Sequence, residues 1–346
     1  MYKFIVSTNK LKSWQLAALA VTSLNFSCSN LSRIGGRLGK QAEALFKYAA
    51  PVVRLANAST YLCIILNIFL FFFASGFSAM QNYPLAVAPI DVIIPCAGKD
   101  VANLEMVIEG IRANGVGVRR IIVVSPHQVT DLAEWFNEKR YPFSKQDVAL
   151  HLWRGDSFAA ERFLQTTNRT GWYYQQLLKL YAPLVIPEIS SNVLIVDADT
   201  IFLNRVDFLD SRGGGLYNID FAHHAPYFRH ACGFLPGLHR KHRDFSGITH
   251  HMLFQRPILE DLLNRVEKYH KRPAWQAFCR CVDPGEVRAW GSGASEYEIY
   301  FNFAFLNTRQ VRIRPLKWAN IDSLEELENY KNNGFHYVSY HRYEEK

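Results

Sequence analysis

Acidic residues are almost missing from the beginning of the chain. The first 60 residues contain only one, Glu43, against eight Lys and Arg. Over the rest of the chain the basic and acidic side chains are nearly equal in number, although the formal net charge of the whole is +8. The body therefore lacks the overall basic excess of a duplex-binding domain, and we expect no nucleic-acid partner.

Charged residues are absent altogether from Leu55 to Ile90. A helix crosses the hydrocarbon of a bilayer with about 20 residues, and a basic excess before it stays in the cytoplasm. We therefore predict a basic leg (1–54), a transmembrane helix or signal anchor (55–80), and a single-pass membrane protein whose C-terminal domain lies on the non-cytoplasmic side. The alternatives are a signal peptide cleaved before Met80, which would give a secreted protein, and a buried core helix.

Low-complexity composition is missing as well. Hydrophobic residues make up 49% and aromatic residues 14% of the 346 positions, which excludes disordered and collagen-like classes. Cysteine is scarce, with six in all, and the four after the apolar run would form two disulfides or none. Cys279 and Cys281 are closer together than the usual zinc-knuckle pair, so structural zinc has little support.

Short apolar runs alternate with helical patterns after Pro89. The predicted elements are a strand at 91–95, a helix at Val101–Ala113, a strand at Arg120–Ser125, a helix at Thr130–Asn137 and a strand at Ala149–Trp153. This order predicts right-handed crossovers and an α/β fold with a mostly parallel sheet flanked by helices.

Two aspartates follow the next predicted strand. A helix at 171–184 precedes the strand Val193–Val196, which ends at Asp197-Ala198-Asp199. Ligands of open α/β sheets bind at the carboxyl ends of the strands, and residues two apart in an extended segment project to the same side. Two carboxylates suit Mg²⁺ or Mn²⁺, which complete their coordination with water and phosphate oxygens. The pattern indicates a metal site that holds a diphosphate leaving group.

The runs Gly171–Leu180 and Val193–Thr200, with Ser295–Glu298 further on, resemble the GT-A glycosyltransferases, and within them an uncharacterised glycosyltransferase-like family. The resemblance covers about Asp91 to the C-terminus. It implies a GT-A-like, Rossmann-like catalytic domain over 90–346, with Mn²⁺ or Mg²⁺ as cofactor. Such a domain would move a sugar from a nucleotide-diphosphate sugar donor to a glycan, lipid or protein acceptor.

The same resemblance implies a donor site. The Asp-X-Asp pair, Asp197 and Asp199, would hold the metal against the donor diphosphate, and the end of the first strand would receive the nucleoside. The residues implied to contact the donor are Pro95, Lys99, Asp100, Gln176, Lys179 and Asp197. For Gln176 and Lys179 the alternative is a solvated helix face.

Two glutamates are candidate catalytic residues. Ser295 and Glu298 match a Ser-X-X-Glu capping box, which gives Glu298 a structural role. Glu296 would then be an exposed first-turn acid that deprotonates the acceptor hydroxyl, as a base does in inverting relatives, unless the two glutamates exchange roles. The alternatives are that Glu296 only complements the helix dipole, or that a retaining enzyme needs neither residue as a base.

Histidines are concentrated between His223 and His251, where seven of the 12 lie in a spacing that matches no common zinc motif. We expect His250 and His251 to line an acceptor pocket. Metal-dependent relatives with a late histidine imply His341 as a third metal ligand, with His336 as the alternative and an exposed surface histidine as the other possibility.

Two other function classes stay open. A nucleotidyltransferase also joins a nucleotide site to an acidic metal site, although Gly98-Lys99 is all that stands where its glycine-rich phosphate loop belongs. The second is a membrane-tethered carbohydrate-binding protein with an inactive transferase fold.

Overall fold

The computed structural model describes residues 80–87 and 89–340. The predicted basic leg and all but the last residue of the predicted membrane helix lie outside the described residues. Within them, none of the helices combines the length and the apolar character needed to cross a bilayer. The four cysteines of this part, Cys96, Cys232, Cys279 and Cys281, are free thiols.

The central sheet is built from five strands: β1 (Ile90–Pro95), β2 (Val118–Ser125), β3 (Glu134–Asn137), β4 (Asn192–Val196) and β7 (His251–Gln255). Their order in the sheet is β3-β2-β1-β4-β7, and all neighbours run parallel except β4 and β7. Three of these strands, β1, β4 and β7, are buried along their whole length, as strands of a mostly parallel sheet covered on both faces are. The predicted α/β class with a mostly parallel sheet is therefore confirmed.

Shorter strands form two small sheets. Their members are β5 (Thr200–Phe202), β6 (Leu216–Tyr217), β8 (Arg312–Ile313), β9 (Trp318–Ile321) and β10 (Tyr337–Tyr340). The order β5-β10-β9 brings the end of the described chain back beside the residues that follow β4. This return completes the candidate site described below.

Helices connect and cover the strands. In chain order they are α1 (Leu104–Asn114), α2 (Lys145–Leu152), α3 (Ser157–Thr166), α4 (Arg169–Val185), α5 (Ala225–Phe234), α6 (Arg256–His270), α7 (Ala274–Cys281), α8 (Pro284–Trp290), α9 (Glu296–Asn307) and α10 (Leu327–Asn332). A 3-10 helix, Gly98–Asn103, leads into α1. The predicted helices at 101–113 and 171–184 thus correspond to α1 and α4.

Two predicted elements were wrong. The segment predicted as the helix Thr130–Asn137 contains strand β3, which pairs in parallel with β2. The segment predicted as the strand Ala149–Trp153 falls mostly in helix α2, which begins with a capping box between Ser144 and Asp147. The capping box was therefore the feature of the sequence that indicated α2. Strand β3 forms because it pairs with β2, and the sequence of the segment alone does not reveal that pairing.

The segment before β1 is bonded to the body of the domain. The Tyr83 hydroxyl donates to Asp261 Oδ2 at 2.6 Å, and the Tyr83 amide donates to Gln310 Oε1 at 2.6 Å. Asn192, the first residue of β4, donates from Nδ2 to the Ala86 carbonyl at 3.0 Å. The chain therefore joins the fold ahead of its first strand.

A buried carboxylate at the start of β1 gives a prediction about stability. Asp91 is fully buried and accepts two bonds from the Arg119 guanidinium, at 2.9 and 2.6 Å, and one from the Ser190 amide at 2.8 Å. Asp91→Ala leaves the Ser190 amide without its acceptor, and we expect it to lower the free energy of unfolding by about 3 kcal/mol. Urea unfolding measures the loss.

Glu134→Ala is the matched control, because the Glu134 side chain pairs with Arg120 but is 52% exposed. Surface ion pairs contribute about 0–1 kcal/mol, so this variant should lose far less stability than Asp91→Ala. Equal losses in the two variants would contradict the assignment of Asp91 to the core.

Candidate metal centre

Three side chains converge at the carboxyl end of β4. Asp197, Asp199 and His250 each offer one ligand atom, and these atoms all lie within 4.8 Å of one another. All three side chains are half-buried. Two carboxylates and an imidazole at this distance can hold a divalent cation.

The pairing of β4 with β7 places the histidine beside the first aspartate. Val196 is opposite His251 in the antiparallel ladder, and one residue further the Asp197 amide donates to the His250 carbonyl at 2.9 Å. The prediction that both aspartates share one side of an extended segment was wrong in detail, because Asp197 begins a turn in which its carbonyl accepts from the Thr200 amide at 3.0 Å. The turn brings the two carboxylates together instead.

Strand β10 supports the second aspartate. Ser339 lies opposite Thr200 in the ladder of β5 and β10, and its Oγ is 3.1 Å from Asp199 Oδ1 and 3.2 Å from His250 Nδ1. The Tyr340 amide donates to the Asp199 carbonyl at 2.8 Å. Ser339 therefore bridges two of the three candidate ligands, a role that sequence reasoning missed because the strand is 140 residues away.

The histidines expected from sequence are placed differently. His341 lies outside the described residues. His336 accepts from the Lys317 amide through Nδ1 at 3.1 Å, so this ring is bonded to the residue before β9 and is not part of the cluster. His250, expected in an acceptor pocket, is the histidine that lies with the aspartates.

Lys179 joins the metal cluster to helix α9. Its Nζ lies 2.5 Å from Asp197 Oδ1 and 2.8 Å from Glu296 Oε1, and 4.5 Å from the centre of the Tyr297 ring. Burial alone lowers the pKa of Lys179, but Asp197 and Glu296 together raise it above its ordinary value. The ammonium therefore stays charged between the two carboxylates, and a solvated helix face is excluded for it.

Helix α9 begins as predicted, but its two glutamates are not where the sequence placed them. Ser295 caps the helix by accepting from the Glu298 amide at 3.3 Å. The Glu298 carboxylate does not complete the capping box, because it accepts from the Gly247 amide and from Asn302 Nδ2. Glu296 is 3% exposed, so the expectation of an exposed first-turn acid was wrong. Lys179 neutralises it there.

The Glu298 carboxylate also makes stability depend on pH. Burial raises the pKa of Glu298 from 4.5 to about 7, while the bonds from Asn302 and Gly247 oppose the rise. Because the folded chain holds this proton more tightly, the free energy of unfolding is unaffected below about pH 4.5 and falls by about 3 kcal/mol as the pH rises to about 7. In the Glu298→Gln variant this decrease in the free energy of unfolding should be absent. Urea unfolding at pH values between about 4 and about 8 measures it.

Glu109→Gln, a substitution at an exposed position on α1, is the control. Its free energy of unfolding should decrease with rising pH as that of the unaltered protein does. A Glu298→Gln chain with the same pH dependence as the control would show that Glu298 is not the titrating group.

Of the remaining residues implied for the donor, Pro95 is placed at the same edge of the sheet by the register of β1 and β4. Ile93 of β1 is opposite Ile195 of β4, so Pro95, which ends β1, lies at the level of the aspartates. Lys99 follows in the 3-10 helix with its side chain 74% exposed, 3.9 Å from Asp100. Gln176 is 2% exposed on α4, and among the described residues neither atom of its amide has a hydrogen-bond partner.

These elements define a class: an α/β domain with a mostly parallel sheet whose carboxyl edge carries a candidate site for a divalent cation. The sequence matches the family of unknown function DUF6492 over residues 88–330, and the chain belongs to that family. No curated protein matches it.

Solved structures of glycosyltransferases show a distant likeness. The galactosyltransferase LgtC, crystallised with donor and acceptor sugar analogs, is 13% identical with a TM-score of 0.33, over 73% of this chain and 87% of that one. The apo structure of the bifunctional glycosyltransferase WbbM is 10% identical with a TM-score of 0.36, over 96% of this chain and 67% of that one. Both scores are low, so the class is defined by this chain's own sheet and acidic edge.

Proposed function

We propose that this protein is a metal-dependent glycosyltransferase that moves a sugar from a nucleotide-diphosphate donor to an acceptor. The convergence of Asp197, Asp199 and His250 at the carboxyl end of β4 carries the proposal. This is the edge of the sheet at which an α/β domain binds nucleotides, and the Asp-X-Asp pair stands there in the pattern that resembles GT-A enzymes.

The chemistry of the three side chains fits a divalent cation. Carboxylate oxygens suit both Mg²⁺ and Mn²⁺, and the imidazole of His250 suits Mn²⁺ better than Mg²⁺. When bound, the ion would neutralise charge on the departing nucleoside diphosphate. Ser339, which is bonded to both Asp199 and His250, would hold these two side chains in position.

The donor would lie across the carboxyl ends of β1 and β4. Pro95, Lys99 and Asp100 form the β1 side of this edge, where we place the nucleoside. Gln176 supports a polar ligand, because a buried amide without partners costs about 1–3 kcal/mol for each unsatisfied group. A hydroxyl of the donor could donate to the Gln176 amide oxygen, and a phosphate oxygen could accept from the amide nitrogen.

We assign Glu296 a positioning role in place of the base role expected from sequence. Its carboxylate is buried and bonded to Lys179, which in turn is bonded to Asp197. Glu296 therefore fixes the ammonium that orients a candidate metal ligand. Glu298 holds the loop at Gly247 and is likewise assigned no catalytic step.

A panel of nucleotide sugars tests the proposal. The full chain with Mn²⁺ should release nucleoside diphosphate from one of them, and Asp199→Asn should abolish the release. Release of pyrophosphate from a nucleoside triphosphate would favour a nucleotidyltransferase instead. Carbohydrate binding without release of any nucleotide would favour the inactive transferase fold, and both outcomes contradict the proposal.

We further propose that the chain is anchored in a membrane, because residues 55–90 contain no charge and follow a basic leg. After carbonate extraction, the full-length chain should stay in the membrane pellet, and a chain that begins at Met80 should be soluble. Uncleaved full-length chain in the supernatant would contradict the anchor.

A further inference from the structure

A polar cavity lies between helix α5 and the beginning of helix α8. It has a volume of about 490 Å³, and its lining includes Arg154, Arg229, His230, Asp283 and Glu286. These side chains come from helices α5 and α8, from the cap of α8 and from the turn after α2. None of them has a role in the proposed metal centre.

His230 presents an unused hydrogen-bond acceptor. It is 3% exposed, and its Nε2 lies 2.8 Å from the Phe278 carbonyl. A carbonyl only accepts, so Nε2 carries the hydrogen and Nδ1 holds a lone pair. Nδ1 is buried without a partner among the described residues. Burial also lowers the pKa of His230 to about 4, so the ring is neutral at pH 7 and Nδ1 stays an acceptor.

The charges around His230 balance one another. Arg229 forms an ion pair with Glu286, and Asp283 accepts from the Gly285 amide at 2.8 Å. Two guanidinium groups and two carboxylates leave no large excess of either sign, which does not favour a polyanion such as an oligonucleotide. They offer both donors and acceptors, as a neutral ligand with several hydroxyl groups requires.

One short segment of the chain links the cavity to the candidate metal centre. Gly293 lines the cavity, and its amide donates to the Tyr173 hydroxyl of α4 at 2.9 Å. Glu296, bonded to Lys179, follows three residues later, and three residues span at most about 11 Å. A ligand in contact with Gly293 would therefore lie a short distance along the chain from Glu296, the residue that is bonded to Lys179.

We propose that this cavity binds a neutral carbohydrate, one hydroxyl of which donates to His230 Nδ1. That this carbohydrate is the acceptor of the transferred sugar rests on the proposed glycosyltransferase function. Its binding to the cavity does not. The site would thus give the enzyme its acceptor class: a glycan, and neither a lipid nor an unmodified protein.

Binding is tested on the full chain with an array of neutral glycans, once with EDTA and once with Mn²⁺ and UDP. A glycan that binds is titrated against His230→Gln. The amide nitrogen of the glutamine can still donate to the Phe278 carbonyl, but the acceptor at Nδ1 is lost. We expect the dissociation constant to rise about tenfold, which corresponds to about 1.4 kcal/mol. His239→Gln, an exposed substitution, should bind as the unaltered chain does.

A second measurement needs no substitution. Cys281 lines the cavity and is partly buried, whereas Cys232 is exposed and is not part of the lining. A saturating glycan should slow the alkylation of Cys281 by iodoacetamide, as followed by mass spectrometry, and leave Cys232 unchanged.

Binding in neither condition, or binding that neither protects Cys281 nor depends on His230, would overturn the inference. Failure of the proposed function has a different signature. In that case a glycan would bind with dependence on His230 and protect Cys281, yet none of the nucleotide sugars would release its nucleotide.

Discussion

Asp199→Asn should weaken Mn²⁺ binding about 100-fold while the domain stays folded. The substitution replaces a charged ligand oxygen with a neutral amide oxygen, and hard divalent cations bind carboxylates far more strongly. The Asp199 carbonyl, which accepts from the Tyr340 amide, is unaffected, and the amide oxygen can still accept from Ser339. The signal of free Mn²⁺ in electron paramagnetic resonance measures the dissociation constant directly, without any substrate.

Asp207→Asn is the matched control for this measurement. The Asp207 side chain is 54% exposed and lies 3.5 Å from Arg205, outside the candidate site. It carries the same change of charge and should bind Mn²⁺ as the unaltered chain does. If Asp199→Asn also keeps its affinity, the ion binds elsewhere and the metal centre described here is wrong.

Lys179→Met should produce the largest loss of stability of any single change proposed here, about 3–5 kcal/mol in urea unfolding with EDTA present. The methionine fills the space of the lysine stem but leaves Asp197 and Glu296 facing each other without their shared cation. At least one of these carboxylates must then be protonated or exposed to water. Either response costs free energy in the folded state.

The companion variant is Lys179→Met combined with Glu296→Gln. Removing the Glu296 charge relieves the repulsion, so the double variant should recover about 1–2 kcal/mol of the loss. Strictly additive losses would contradict the shared ion pair. Glu296→Gln alone separates the two roles considered for this residue. Loss of a general base would slow transfer about 10²–10⁴-fold with little change in stability or donor affinity, whereas loss of the charged bond to Lys179 would also lower stability.

The parts of the fold that local pattern determines were predictable from the sequence. Strands β1, β2 and β4 are apolar runs bounded by turns, and Asp197 and Asp199 stand at a strand end where α/β proteins bind ligands. These observations were enough to place two of the three candidate metal ligands. They also led to the α/β class.

The rest depended on partners that are distant in sequence. His250 lies beside Asp197 because β7 returns antiparallel to β4, and an apolar run gives no sign of its direction. Lys179 and Glu296 are 117 residues apart, so their pairing could not be inferred; Lys179 was expected to contact the donor or to lie on a solvated helix face, and Glu296 was expected to be exposed. Burial of a charge is set by the partner that neutralises it, which one sequence does not reveal.

The place where the chain joins its fold bears on how the protein can be handled. Ala86 is held by Asn192 at the amino end of β4, whereas the aspartates follow the carboxyl end of the same strand. The five residues of β4, at about 3.3 Å each, separate the two ends by about 16 Å. In a chain that begins at Met80, a resin or carrier coupled to the first residue would therefore enter the fold from the side of Ala86, and the bond to Asn192 lies at the end of β4 away from the aspartates.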